Sequence, residues 1–173
     1  MMNLLGEFEC KLDSKLRLAL PAALKKQLPP EANGRFVVNR GFEKHLNLYP
    51  LPEWQIVSAE INRLNLYAQK NREFARYFHR GATELVLDGA GRLLLPKRLL
   101  DYAGIKEAVI LLAYANRIEC WDSELYDTLL ASEPEDFARL AEEIMSGKEP
   151  VLEKEEKRPE YRDIPFPPPG PRH

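Results

Sequence analysis

Residues Asp13 to Pro21 read DSKLRLALP, and residues Asp88 to Pro96 read DGAGRLLLP. Asp13 matches Asp88, Arg17 matches Arg92, Leu18 matches Leu93, Leu20 matches Leu95 and Pro21 matches Pro96. A Leu precedes each Asp, at Leu12 and Leu87, and another follows each Pro, at Leu24 and Leu99. A segment that returns within one short chain marks a supersecondary unit used twice. These two copies lie 75 residues apart. Further on, Leu46 to Tyr49 corresponds to Ile118 to Trp121 at an offset of 72, so the first copy holds three extra residues near 29–34. Such insertions belong in loops.

The flanks of the repeat read as short strands and helices. Phe8, Cys10 and Leu12 alternate with Glu7, Glu9 and Lys11, which predicts a strand. A turn at Asp13 to Leu16 then makes a hairpin with a return strand from Arg17. Pro21 suits the first turn of a short helix, and strands follow at 35–39 and 45–49. A helical stretch opens at Leu51 and ends near Gly81, as one broken helix or two. Its apolar stripe (Trp54, Val57, Ile61, Leu64, then Tyr67, Phe74, Tyr77 and Phe78) predicts core or subunit contact. The second copy repeats the order: strand 83–87, turn, strand 92–95, helix 96–103 closed by Gly104, and strands 108–113 and 117–121. Helices at 123–130 and 135–145 follow.

Composition narrows the class. The chain has 173 residues, 45% of them hydrophobic, with no run long enough to span a bilayer and no signal-peptide pattern at its start. It therefore reads as soluble and cytoplasmic, without a membrane partner. Cys10 and Cys120 make no disulfide framework and read as small buried hydrophobes. The net charge of −2 hides an asymmetry: residues 1–80 carry 13 Lys and Arg against 8 Asp and Glu, while residues 81–173 carry 12 against 19. From Lys148 onward seven of the 14 prolines gather among charges, a composition that cannot bury enough apolar surface to order itself. Residues 148–173 thus read as a disordered or extended tail.

An enzyme finds little support. Asp13 and Asp88 each sit in a turn, four residues before an Arg. Turn aspartates bond nearby backbone N–H groups, and a neighbouring Arg lowers their pKa, which suits a structural role better than general-acid work. No Ser-His-Asp set, phosphate loop or zinc spacing accompanies them. The chain reads as a non-enzyme with no cofactor, no metal and no small-molecule substrate. A binding surface fits better. Lys15 and Arg17 lie at the turn, with Lys11, Lys25 and Lys26 close in sequence, and such a group suits phosphates or guanine edges. A solvated basic face is the plainer account of the same residues.

The paired D-x-x-x-R segments, each after a strand and before a short helix, resemble the signatures of the MraZ family. The resemblance extends through LYPLPEW at 48–54, the region 72–78 and IECWD at 118–122. It implies an α+β, β-rich fold: tandem AbrB-like swapped-hairpin halves forming one pseudo-twofold, double-ψ-like β-barrel with peripheral helices. Residues 1–81 would form the first half with a helical extension, and 82–147 the second half with its C-terminal helices. The resemblance also implies a nucleoid-associated transcriptional regulator, mostly repressing. It would bind short direct repeats in promoter DNA of the division and cell-wall gene cluster as a ring-shaped homo-oligomer. Carried over residue by residue, Lys15 and Arg17 lead DNA contact and Arg92 and Arg98 follow, with Lys11, Lys25 and Lys26 nearby. Asp13, Pro21, Asp88, Gly91 and Pro96 hold the motif.

Two departures stand out. The family's first signature carries Gly before the Arg, and here Leu16 occupies that place, while Gly91 keeps it in the second copy. Leu resists positive φ, so either the first turn differs in shape or the Gly is not required there. The family also places Arg after the first Pro, where this chain has Ala22 and Ala23, leaving Lys25 and Lys26 as point charges. With the acidic second half and the tail, these departures motivate an alternative: an oligomeric protein-interaction module without DNA binding.

Overall fold

The repeat pairs with itself. In the computed structural model, which describes residues 2–131 and 133–147, strand β2 (Arg17–Ala19) runs antiparallel to β6 (Arg92–Leu94), with Leu18 opposite Leu93. These two residues are equivalents at the 75-residue offset. The expected hairpin is therefore only a turn. Beyond a single bridge between Leu12 and Leu18, β2 takes its partner from the other copy. Leu18 and its equivalent Leu93, both fully buried, face each other across this ribbon.

The remaining strands form one antiparallel sheet in the order β1-β7-β8-β4-β3-β5. They are β1 (Leu4–Lys11), β3 (Arg35–Arg40), β4 (Leu46–Pro50), β5 (Thr83–Val86), β7 (Ala108–Ala115) and β8 (Arg117–Asp122). At its centre β4 meets β8 with Asn47 opposite Glu119, again equivalents, now at the offset of 72. Outward from there, β1 on β7 mirrors β5 on β3. A local twofold axis thus relates the copies and passes between both self-paired positions. Each copy's first strand pairs with a strand of the other copy. The expectation of a closed barrel is not met among the described residues. β1 and β5 each have one sheet neighbour and end the sheet, and β2 with β6 forms a separate ribbon.

Six α-helices complete the described chain: α1 (Ala22–Lys25), α2 (Leu51–Asn62), α3 (Gln69–His79), α4 (Lys97–Ala103), α5 (Ser123–Leu129) and α6 (Pro134–Met145). Pro21 and Pro96 precede α1 and α4, and each carbonyl accepts the backbone N–H groups three and four residues on. A left-handed Gly104 closes α4. Asp122 caps α5 by accepting from Leu125 N–H. A short 3-10 turn, Pro30–Ala32, stands where the first copy carries its extra residues. The helical stretch after Leu51 is two helices, broken between Asn62 and Gln69.

The core is built largely from the repeat itself. Leu18, Leu20, Leu24 and their counterparts Leu93, Leu95 and Leu99 are all buried, together with Phe36, Val38, Leu46, Leu48, Leu111 and Ile118. Both α2 and α4 touch β4, and all five of its residues are buried. Of the aromatic stripe, Phe78 is buried and stacks on Trp54 at 5.1 Å, while Tyr67, Phe74 and Tyr77 remain exposed. Cys120 is fully buried, and desolvation with Cys10 nearby pushes its thiol up to about 12, so it behaves as a hydrophobe.

These elements through α5 belong to a compact unit, Met1–Ala131. The second unit, Ser132–His173, holds α6, where Glu135 and Asp136 in the first turn suit the positive helix end. In α6 Phe137, Leu140 and Ile144 are exposed. The expected tail at 148–173 lies outside the described residues. No helix among the described residues is long and apolar enough to cross a membrane.

Candidate nucleic-acid interface

The two Asp–Arg turns are the same structure, bond for bond. Asp13 Oδ1 accepts the backbone N–H groups of Lys15 and Arg17, both at 2.9 Å, and Oδ2 accepts Arg17 Nε at 2.7 Å. Asp88 Oδ1 accepts from Ala90 and Arg92 N–H at 2.9 Å, and its Oδ2 accepts Arg92 Nε at 2.9 Å. Main-chain bonds agree as well: Leu16 N–H to Asp13 O and Gly91 N–H to Asp88 O, with Asp13 N–H to Arg17 O and Asp88 N–H to Arg92 O. Each carboxylate therefore closes its turn and grips its Arg by one edge of the guanidinium.

Those bonds also set the protonation state. The Arg17 backbone N–H is the largest influence holding the Asp13 carboxyl below the usual carboxylate range. The Arg17 side chain and Lys15 N–H add to it, and partial burial opposes. Asp88 is lowered in the same way, first by Arg92 N–H. A carboxylate kept ionised by several donors braces a turn and is a poor general acid.

Leu16 takes φ 62 and Gly91 takes φ 74. The departure from glycine thus leaves the first turn unchanged in shape. The two turns are joined: Leu95 N–H donates to Leu16 O, Leu20 N–H donates to Gly91 O, both at 3.0 Å, and Arg92 Nη1 lies 3.9 Å from Asp13 Oδ2. Arg17, Arg92, Asp13 and Asp88 form one cluster about the twofold axis. Lys25 joins it from α1. A Cβ built on Gly91 would fall 1.8 Å from Lys25 Nζ, so the lysine lies over the second turn in the room the glycine leaves.

The other expected residues are placed differently. Lys15 is exposed on the first turn. Lys11 is exposed at the end of β1, opposite Ala108, and Lys26 is exposed after α1. Arg98 does not join the turns; it lies on α4 in a cleft with Arg40, Arg80 and Lys97. Those three cations escaped the sequence reading because Arg40 and Arg80 come together only through the pairing of β3 with β5. Lys97, beside Arg98 where the first copy has Ala22 and Ala23, was the available signal.

An α+β molecule that uses one motif twice and sets two Asp-braced arginines side by side is the class defined by this geometry. The family model described as "MraZ protein, putative antitoxin-like" matches residues 3–77 and again 78–146. A protein of Christiangramia forsetii named "Transcriptional regulator MraZ" is 43% identical over 148 residues, covering 85% of this chain and 96% of that protein. The protein of the same name from Flavobacterium psychrophilum is 42% identical, covering 85% and 94%. That of Cytophaga hutchinsonii is 37% identical over 141 residues, covering 82% and 93%. The chain belongs to the MraZ family. Its relatives are named as regulators, not as enzymes.

Proposed function

We propose that this protein is a DNA-binding transcriptional regulator that grips duplex DNA with its paired turns. The observation that carries this is the bond-for-bond identity of the two turns, joined through Arg92 and Asp13, in a chain whose relatives are named transcriptional regulators. In this reading Asp13 and Asp88 hold Arg17 and Arg92 by Nε, and the outer guanidinium nitrogens meet phosphates or guanine edges. Lys15 and Lys25 add charge to the first and second turn, and Lys11 and Lys26 flank them.

The finer reading follows the family resemblance. Residues 1–81 and 82–147 act as two halves of a swapped-hairpin unit, and the exchange of first strands between the copies supports this. The protein forms a ring-shaped homo-oligomer on short direct repeats upstream of the division and cell-wall genes, acting mainly as a repressor in the nucleoid. A ring suits a repeated operator, because each bound subunit raises the effective concentration of its neighbour at the next repeat.

The test is binding of the full chain to a duplex from upstream of its own gene, against a scrambled duplex of equal length, over a salt series. The upstream duplex should bind more tightly at every salt concentration, with log K falling by about 0.9 per phosphate contact for each unit of log salt. Equal binding to both would remove sequence-specific recognition, and binding to neither would leave the interaction-module alternative.

A further inference from the structure

Four cations converge where α4 begins. Arg40 ends β3, Arg80 follows α3, and Lys97 and Arg98 open α4; they line a cleft of about 350 Å³ that also includes Gly81 and Thr83. No acidic side chain lines it, and among the described residues none of the four takes part in a salt bridge. Arg17, Arg92 and Arg35, by contrast, each sit on a carboxylate. Gathering like charges without a counterion is unfavourable unless something anionic completes the group. Arg40 supplies a second observation. Its guanidinium lies 4.4 Å over the Tyr102 ring, and its Nε is buried with no hydrogen-bond partner. A buried donor without an acceptor is costly. A Cβ built on Gly81 would come 2.8 Å from Leu99, so Leu99 packs into the space that the left-handed Gly81 leaves, with the Arg40 Nε at 4.0 Å.

The internal repeat acts as a control. At the 75-residue offset Gly81 corresponds to Gly6, Arg80 to Leu5, and Lys97 and Arg98 to Ala22 and Ala23. The glycine is kept and the cations are not, so the fold does not demand the charge. The cleft lies near the first turn along the chain: Leu95 donates to Leu16 O, and Lys97 follows two residues later.

We propose that this cleft binds a phosphate group of the nucleic-acid backbone, as a second contact beyond the paired turns. It rests on the regulator reading above. Phosphate contacts position a protein without reading sequence. Loss of this site should therefore weaken binding to every duplex alike.

The experiment compares the full-length wild type with R80A/R98A and K15A/R17A. Each is titrated with the upstream duplex and its scrambled counterpart over a potassium chloride series, and with sodium tripolyphosphate by calorimetry. Thermal melting verifies that the variants fold. R80A/R98A should weaken binding to both duplexes equally and flatten the salt slope by about 0.9, the value for one phosphate contact. K15A/R17A should reduce the preference between duplexes. An unchanged slope in R80A/R98A overturns the proposal. So does tripolyphosphate binding that R80A/R98A abolishes while the duplex slope stays the same, since the ligand is then a free polyphosphate. If the wild type binds neither duplex, the regulator reading fails and this nucleic-acid assignment falls with it. Tripolyphosphate heat lost in R80A/R98A then shows an anion cleft of another purpose.

Discussion

At φ 62 the Leu16 Cβ crowds the following carbonyl oxygen, which costs an L-residue about 1–2 kcal/mol. The side chain recovers part of this by packing against the core cluster that holds Leu100. Leu100 is the counterpart of Lys25 at the 75-residue offset, and Lys25 is what fills the space beside Gly91. The two turns thus differ in their surroundings: Leu16 packs on the apolar core at one, and Lys25 lies over Gly91 at the other. Gly91→Ala should lower stability by about 1–2 kcal/mol in urea denaturation, because the new Cβ meets positive φ with no packing gain and displaces Lys25. A wild-type midpoint would contradict this. The aspartates make a pH prediction. Their folded pKa values lie below the unfolded value, so the unfolded chain binds more protons in acid. Their contribution is complete above about pH 4, the unfolded range, and is lost as pH falls through the folded values. Urea midpoints should drop below pH 4, and D13N/D88N should show a shallower drop. An identical acid limb in both proteins would remove the aspartates from that role.

The self-paired ribbon β2–β6 shows how a short element gains weight from its position. Leu18 and Leu93 face each other on the local twofold and are fully buried. Leu18→Ala should cost about 2–5 kcal/mol in chemical denaturation, as for other buried Leu truncations, and Leu93→Ala a similar amount. Losses well under 1 kcal/mol would mean the ribbon is peripheral. Most elements were legible from the sequence, because alternation at β1, the Pro21 and Pro96 helix starts and the Gly104 stop are local signals. The partner of β2 was not. A turn four residues long suggests a hairpin, and only tertiary packing decides that Leu18 prefers Leu93 to β1. The aromatic stripe divided for the same reason: Phe78 found Trp54, while Tyr67 and Tyr77 face solvent. At the site, Asp13, Arg17 and their counterparts could be read from the repeat. The reach of Lys25 across to Gly91 and the meeting of Arg40 with Arg80 could not, since both depend on pairing between distant strands.

For the whole molecule, the net charge of −2 gives no general attraction to DNA, so binding must come from where the cations are placed. The twofold arrangement concentrates Arg17, Arg92 and Lys25 about one axis, and the Arg40–Arg98 cleft adds a second group. Such local clusters are strongly screened by salt, with a Debye length of about 8 Å at physiological ionic strength. Binding should therefore weaken steeply with salt despite the acidic chain. The most direct measurement is the affinity of Arg17→Ala for the upstream duplex at fixed salt, with its melting temperature measured alongside. Removal of one charge-assisted contact predicts a loss of about 1.5–3 kcal/mol in binding, roughly ten- to hundredfold, with a melting temperature close to wild type. An Arg17→Ala protein that stays folded and binds the upstream duplex as tightly as wild type would contradict the assignment of the paired turns to DNA.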